Sequence, residues 1–396
     1  MKQVSGLIST YSSDEFGICS ALFELGGMVV MHDASGCNST YTTHDEPRWY
    51  DMDSMIFISA ISESEAIMGD DDKFIGDLIE TAEELHPKFI ALVGAPIPYM
   101  IGTDLKAIAS IVSRETGIPC FGFPANGMHA YTTGISMALE KIAEEFGGVI
   151  SGENRENSRV TVNILGATPL DFSVNGSVES LKCWIREHEM NPGVSLAMGC
   201  TLEDLGRLGN ADVNLVVSYG GLAAARVLEE RFGTPYVTGV PFGEAFGDRL
   251  AAMLKQAAAA KVNYCGYQRL ETENCGGQYE GEKQSSTVII GESVFCGSLA
   301  EAIELDTGIP VKLLCPLDTE NRLLRSGDLE TPEEDDLIRE IKNADIVIGD
   351  PLYRALADGK QFYELPHEAF SGRIYDRVNP DLIGKKIGKD EGIEEC

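Results

Sequence analysis

The sequence predicts an α/β protein built from three Rossmann-like domains with mainly parallel sheets. Short β-branched apolar runs alternate with amphipathic helical stretches along nearly the whole chain, the pattern of sheets wrapped by helices. That alternation breaks at two polar stretches, residues 151–158 and 263–286. The length, 396 residues, also exceeds what a single core usually organises. The expected domains are therefore 1–150, 159–260 and 285–396.

In the first domain, residues 28–31, 56–59, 89–93 and 120–123 read as buried strands, apolar and too short for helices. Between them, 73–85, 105–115 and 135–146 carry apolar residues at helical spacing, and the last run stops at Gly147-Gly148. A second cycle has strands at 160–165, 194–198, 213–217 and 235–240, with helices near 178–187, 222–232 and 244–259. The third runs through strands 288–291, 311–314 and 345–349, with helices 299–305 and 332–342. Ligands of such sheets sit beyond the carboxyl ends of the strands, so the chemistry is expected in the loops that follow them.

Composition excludes several functions. Lys and Arg number 31 against 63 Asp and Glu, a formal charge of −32. A nucleic-acid binder needs clustered cations to displace counterions, and an anionic membrane repels such a surface. No apolar run approaches the length of a membrane span, and the amino end shows no export signal. A cytoplasmic protein is expected. No GxGxxG opens a helix and no GxxxxGK[ST] occurs, so neither a dinucleotide nor a P-loop nucleotide accounts for the fold. The ten cysteines lack zinc-knuckle spacing; Cys120 reads as a packed strand residue, and the spacing of Cys265 and Cys275 fits no common metal motif.

The informative segment is MHDASGCNSTYTTHDEPR, residues 31–48. A strand runs into a turn holding His32, Gly36 and Cys37, followed by hydroxyls, His44 and Arg48. A thiolate on a Gly-flanked turn at a strand end is reachable, as an iron ligand must be. His32 is expected to orient that turn, while His44 and Arg48 either line a cavity or face solvent. Upstream, Cys19 sits in ICSALFELGG.

Here the chain resembles the nitrogenase component 1 family, which comprises the molybdenum–iron protein subunits, their cofactor-assembly scaffolds and related tetrapyrrole reductases. Cys19 and the HDASGC turn match the family's first interface-cluster cysteine and its His-Gly-x-x-Gly-Cys turn, with Asp33 in place of the first glycine. The family's third interface cysteine opens a Cys-Pro-x-x-x-Ile-Gly-Asp-Asp element, and Ala95 stands there in APIPYMIGTD. GIPCFGFPANGMHAYTTG (117–134) and VNLVVSYGGLAAARVLEERFGTPY (213–236) resemble two further family units. In the second, Ser218 occupies the position of the cysteine that holds the molybdenum–iron cofactor. His367, before Phe370-Ser371-Gly372, resembles that cofactor's histidine ligand.

A neutral hydroxyl is a poor iron ligand, so no molybdenum–iron cofactor and no dinitrogen reduction are expected. A cubane cluster takes four protein ligands, and Cys19 and Cys37 supply two per chain. The resemblance then implies a homodimer, or a pair with a related sister subunit, bridged by one [4Fe–4S] cluster. It further implies a separate P-loop ATPase iron–sulfur reductase as electron donor. A tetrapyrrole between domains is the implied substrate, with His367 catalytic and Ser218, His44 and Arg48 near the cavity. Two other readings are a non-catalytic metal-cofactor assembly scaffold and a plain α/β ligand-binding protein.

Overall fold

The computed structural model describes residues 6–34, 36, 38, 41, 46–150, 159–267 and 286–385. Among these, three separate parallel sheets form, each with buried apolar strands at its centre. The first unit contains α1 (Asp14–Leu22), β1 (Met28–Met31), β2 (Met55–Ile58), α2 (Glu63–Met68), α3 (Asp72–Leu85), β3 (Ile90–Val93), α4 (Pro96–Ile101), α5 (Leu105–Thr116), β4 (Cys120–Phe123) and α6 (Tyr131–Phe146). The second contains β5 (Thr161–Ala167), α7 (Pro169–Phe172), α8 (Ser177–Glu187), β6 (Asn191–Ala197), β7 (Val213–Val216), α9 (Leu222–Phe232), β8 (Tyr236–Thr238), α10 (Glu244–Ala260) and β9 (Tyr264–Cys265). The third contains β10 (Thr287–Ile290), α11 (Ser293–Thr307), β11 (Val311–Cys315), β12 (Leu329–Glu330), α12 (Glu334–Asn343), β13 (Ile346–Gly349), β14 (Gln361–Glu364) and α13 (Glu368–Ser371). The α/β class with parallel sheets is as the sequence predicts.

Strand order decides where ligands can bind. The sheets run β2-β1-β3-β4, β6-β5-β7-β8-β9 and β12-β11-β10-β13-β14. Each order reverses once, between β1 and β3, between β5 and β7, and between β10 and β13. At such a switch the flanking loops part in opposite directions and open a crevice at the carboxyl ends of the strands.

Helix α1 was not expected, and its burial explains why. Every one of its residues except Phe16 is buried, so no polar face marks a helical period. It lies on α6 backbone to backbone through two glycines. A Cβ on Gly17 would stand 2.0 Å from the Tyr131 carbonyl oxygen, and one on Gly134 would stand 1.9 Å from that of Asp14. Asp14 also accepts the Gly127 and Asn126 N–H groups at 2.8 and 3.2 Å, which fixes the loop leading into α6.

Two details depart from the sequence expectation. Strand β9 pairs with β8 and so carries the second sheet past residue 260. The first described residues pack on the third unit: one Glu334 carboxylate oxygen accepts the N–H groups of Gly6, Leu7 and Ile8 at 3.0, 2.9 and 3.0 Å. The Ser12 N–H then donates to the Ala369 carbonyl at 2.7 Å, drawing Tyr11 into the joint between units.

Candidate functional site

The first crevice lies between β1 and β3. His32 and Asp33 leave the end of β1, and Ala95 caps α4 after β3. Ser13, Glu15, Phe16, Asp33, Asn38, Pro96 and Ile97 line a cavity of about 280 Å³ there. The residues come from the three segments in which the sequence resemblance places its expected interface positions, around Cys19, Cys37 and Ala95. Two buried acids face it with an oxygen that has no partner among the described residues, Glu15 Oε2 and Asp33 Oδ1. Burial, then the neighbouring Asp14, raises the Glu15 carboxyl to about 8.

His32 holds this turn from behind. Its Nδ1 lies 2.9 Å from Ser59 Oγ, and that oxygen accepts the Asp33 N–H at 3.2 Å. The ring stacks on Phe74 with centroids 4.1 Å apart. Burial lowers the imidazole to about 4, against a smaller opposing pull from Glu65. A depressed histidine adds stability that is complete above its ordinary value near 6.5 and is lost as pH falls through about 4. Each unit of separation is worth about 1.4 kcal/mol. Urea denaturation between about pH 7 and about pH 4 is therefore expected to show a steeper stability loss for the native chain than for His32→Gln; equal slopes refute this.

Cys19 lies on α1 with no exposed area. Burial, with Glu15 and Glu46 close by, raises its thiol well above the ordinary value. Tyr41, stacked on Phe16 at 5.2 Å, adjoins it. Cys37 and His44 lie outside the described residues, as does Cys275; Gly36 is exposed and open on all sides. Among the described residues no group of three or more His, Cys, Asp or Glu side chains is placed to hold a metal. A cubane takes four ligands, so the donor set of one chain fits at most half of a shared cluster site. A ligand shared between chains belongs at a contact surface, whereas Cys19 in the single chain is enclosed.

Other sequence-level candidates have other occupations. Arg48 is neither solvated nor free: it is buried and bound by Glu46, Glu24 and the Ser20 carbonyl on α1. Ser218 is fully buried and donates its hydroxyl proton to the Gly166 carbonyl at 2.7 Å, tying β7 to β5. Burial pushes the Cys120 thiol up to about 12, as a packed strand residue requires, and Cys265 is half-buried in β9.

The other two crevices face each other, and His367 stands between them. From the second sheet come Asp171, after β5, and Tyr219, after β7; from the third come Glu292, after β10, and Asp350, after β13. The Tyr219 N–H donates to Glu292 Oε1 at 3.0 Å, which joins the two switch points directly. Glu292 also caps α11 through the Val294 and Phe295 N–H groups at 3.0 and 2.8 Å. Burial and then Asp171 nevertheless raise its carboxyl to about 7. Asp350 Oδ2 accepts the His367 N–H at 2.8 Å and the Ser371 hydroxyl at 2.7 Å. The first unit adds Tyr131 from α6, whose hydroxyl donates to Asp171 Oδ1 at 2.5 Å and lies 3.4 Å from His367 Nε2. Asp171 Oδ1 is itself 3.3 Å from that nitrogen. Tyr11 closes the cluster, its ring edge-on to His367 at 5.6 Å and its hydroxyl 3.2 Å from Tyr353.

Sequence reasoning singled out His367 and missed Asp171, Tyr131, Glu292 and Asp350. A signal for three of them existed: each acid follows an apolar strand within four residues, where a parallel sheet opens. What no spacing shows is that loops some 200 residues apart converge on one imidazole.

The chain matches the nitrogenase component 1 type oxidoreductase family over residues 18–314. It is 23% identical over 185 residues to the nitrogenase molybdenum–iron protein alpha chain of Clostridium pasteurianum, covering 46% of this chain and 33% of that one. It is 25% identical over 218 residues to a light-independent protochlorophyllide reductase subunit of Nostoc punctiforme, covering 52% and 42%. The iron-molybdenum cofactor biosynthesis protein NifE of C. pasteurianum is 22% identical over 183 residues, covering 46% and 38%. The matches thus span less than half the length of these relatives. In fold, the chain is similar to a structure titled nitrogenase Cp1 at pH 6.5, with a TM-score of 0.67 at 16% identity over 96% of this chain and 90% of that one. No described helix is long and apolar enough to cross a membrane. With most of its length matched by the family model, the chain belongs to the nitrogenase component 1 type oxidoreductases.

Proposed function

We propose that this chain is the catalytic component of a nitrogenase-like reductase, working as a homodimer or with a related sister subunit. Electrons would come from a separate ATP-dependent iron–sulfur reductase and pass to a substrate held where the three sheets meet. A tetrapyrrole or a metallated relative is the substrate class, in keeping with the protochlorophyllide reductase relatives. One observation carries the reading: a buried histidine, three carboxylates and a tyrosine converge at two facing switch points. A merely structural joint between sheets is cheaper to fill with apolar side chains, since buried ionisable groups are costly.

Cys19 and Cys37 from each of two chains would hold a [4Fe–4S] cluster, which when bound supplies low-potential electrons singly. The chain's own residues handle the protons that must accompany them. His367 relays a proton to the reduced substrate, first accepting it on the ring nitrogen that faces the substrate and then donating it. Glu292, held to about 7 by burial, carries a second proton at the same place. Ser218 offers no thiolate at the position it occupies, so dinitrogen reduction through a molybdenum–iron cofactor is not part of the proposal.

The test supplies the protein with dithionite alone, then with an ATPase iron–sulfur partner and ATP. Turnover is expected only in the second case, and turnover with dithionite alone overturns the division of labour. The likeness to NifE favours a second reading, a scaffold that carries a nascent cluster. A cluster that transfers intact to an acceptor protein, without turnover of any substrate, would support that reading instead.

A further inference from the structure

We propose that Asp171 and Tyr131 are positioning residues that keep the proton of neutral His367 on Nε2 and leave the Nδ1 lone pair as the atom offered to a ligand. The proposal rests on reading His367 as the group that meets the substrate. It follows from a triangle of three atoms. Tyr131 Oη and Asp171 Oδ1 are 2.5 Å apart, Oη and Nε2 are 3.4 Å apart, and Oδ1 and Nε2 are 3.3 Å apart. Tyrosine has one hydroxyl proton, and the shortest side of the triangle assigns it to the carboxylate. Toward Nε2, then, Oη presents only lone pairs, and Oδ1 never had anything else to present. A ring nitrogen facing two acceptors carries the hydrogen.

The other ring nitrogen agrees. Nδ1 is buried and has no hydrogen-bond partner among the described residues. A bare lone pair in that position is tolerable, whereas a buried N–H without an acceptor is among the rarest defects of a folded protein. The ring is also packed between two aromatic rings, with centroids 5.6 Å from Tyr11 and 5.8 Å from Tyr131. Asp171 Oδ2, likewise buried and unpartnered, adds a second acceptor nearby. The pair therefore selects a ligand group that donates a hydrogen bond, such as an N–H or an O–H, and disfavours a carbonyl or carboxylate. It also accounts for a carboxylate in this buried place: an acceptor-only side chain fixes the tautomer, and an amide does not.

Ring-15N-histidine-labelled protein gives the test, read by long-range proton–nitrogen correlation over a pH series. The His367 signals are assigned as those lost in His367→Gln. Native protein is expected to show protonated Nε2 and bare Nδ1 as the major neutral form. Asp171→Asn, whose amide can donate to Nε2, is expected to invert the ratio of the two tautomers. Tyr131→Phe is expected to keep Nε2–H, because Asp171 then takes that hydrogen alone. A native ring protonated on Nδ1 overturns the proposal, and so does a folded Asp171→Asn whose tautomer ratio is unchanged. Should Asp171→Asn not fold, the native tautomer still decides. The measurement needs neither iron nor turnover, so it separates from the fate of the proposed activity. Full turnover by His367→Gln would sink the functional reading and leave the tautomer assignment standing.

Discussion

Anaerobically purified protein is expected to be brown and to hold about two irons per chain, and Cys19→Ala and Cys37→Ala are each expected to yield colourless, iron-free protein. The arithmetic is that of a shared cubane: four ligands, two thiols per chain, and a two-fold axis between copies. The single-chain geometry makes the outcome informative. Cys19 is enclosed and its thiol is held protonated by burial and by nearby Glu15 and Glu46. A thiolate there is costly without a cation, so removing the metal is expected to leave an inert thiol and not a reactive one. Iron quantification with electron paramagnetic resonance of the reduced protein checks the prediction. About four irons per chain would mean each copy carries its own cluster. None at all in native protein would make Cys19 a packing residue and leave a plain α/β ligand-binding protein.

Arg48→Met is expected to destabilise the fold by about 3–5 kcal/mol, the cost of orphaning a buried charge. Arg48 Nε and a terminal nitrogen bind Glu46 at 2.7 and 3.1 Å, and the other terminal nitrogen binds Glu24 at 2.9 Å. The Ser20 carbonyl, on α1, accepts at 2.7 Å, and the guanidinium lies 4.4 Å from the Phe23 ring centroid. Both partners of the central pair are buried, with side chains 5% and 1% exposed. The acids around it raise the guanidinium further above its already high ordinary value, although burial pulls the other way. Arg48 therefore straps the segment after the cysteine turn to the helix that carries Cys19. The double variant Arg48→Met/Glu46→Leu is expected to be more stable than Arg48→Met, because it removes the stranded carboxylate as well. Urea denaturation measures both; a loss below about 1 kcal/mol for Arg48→Met would class it with exposed pairs and refute the strap.

Much of the fold was readable from the chain. A buried parallel strand is a short apolar run with turn residues at its ends, and β1 and β4 begin and end where those runs do. The amphipathic α3 and α5 were readable for the same reason, a single buried face. Helix α1 was not, because burial on all sides erases the period that marks a helix. The site divided along similar lines. His32 directly follows β1 and could be picked out from its own turn, while Ser218 and His367 were singled out by the family resemblance. Asp171 carries only the weak mark of an acid just past a strand end and Tyr131 carries none, since a tyrosine at the start of a helix is commonplace.

Order along the chain thus sets which elements form and which residue types follow each strand, because propensity and burial period act over a few residues at a time. Which loops meet is another matter. Gly17 and Gly134 let α1 settle on α6, and that contact carries Tyr131 to Asp171 and both to His367. Only packing among all three sheets brings those atoms within reach of one proton, and hydrogen-bond geometry, which acts over about 3 Å, has no counterpart in sequence spacing.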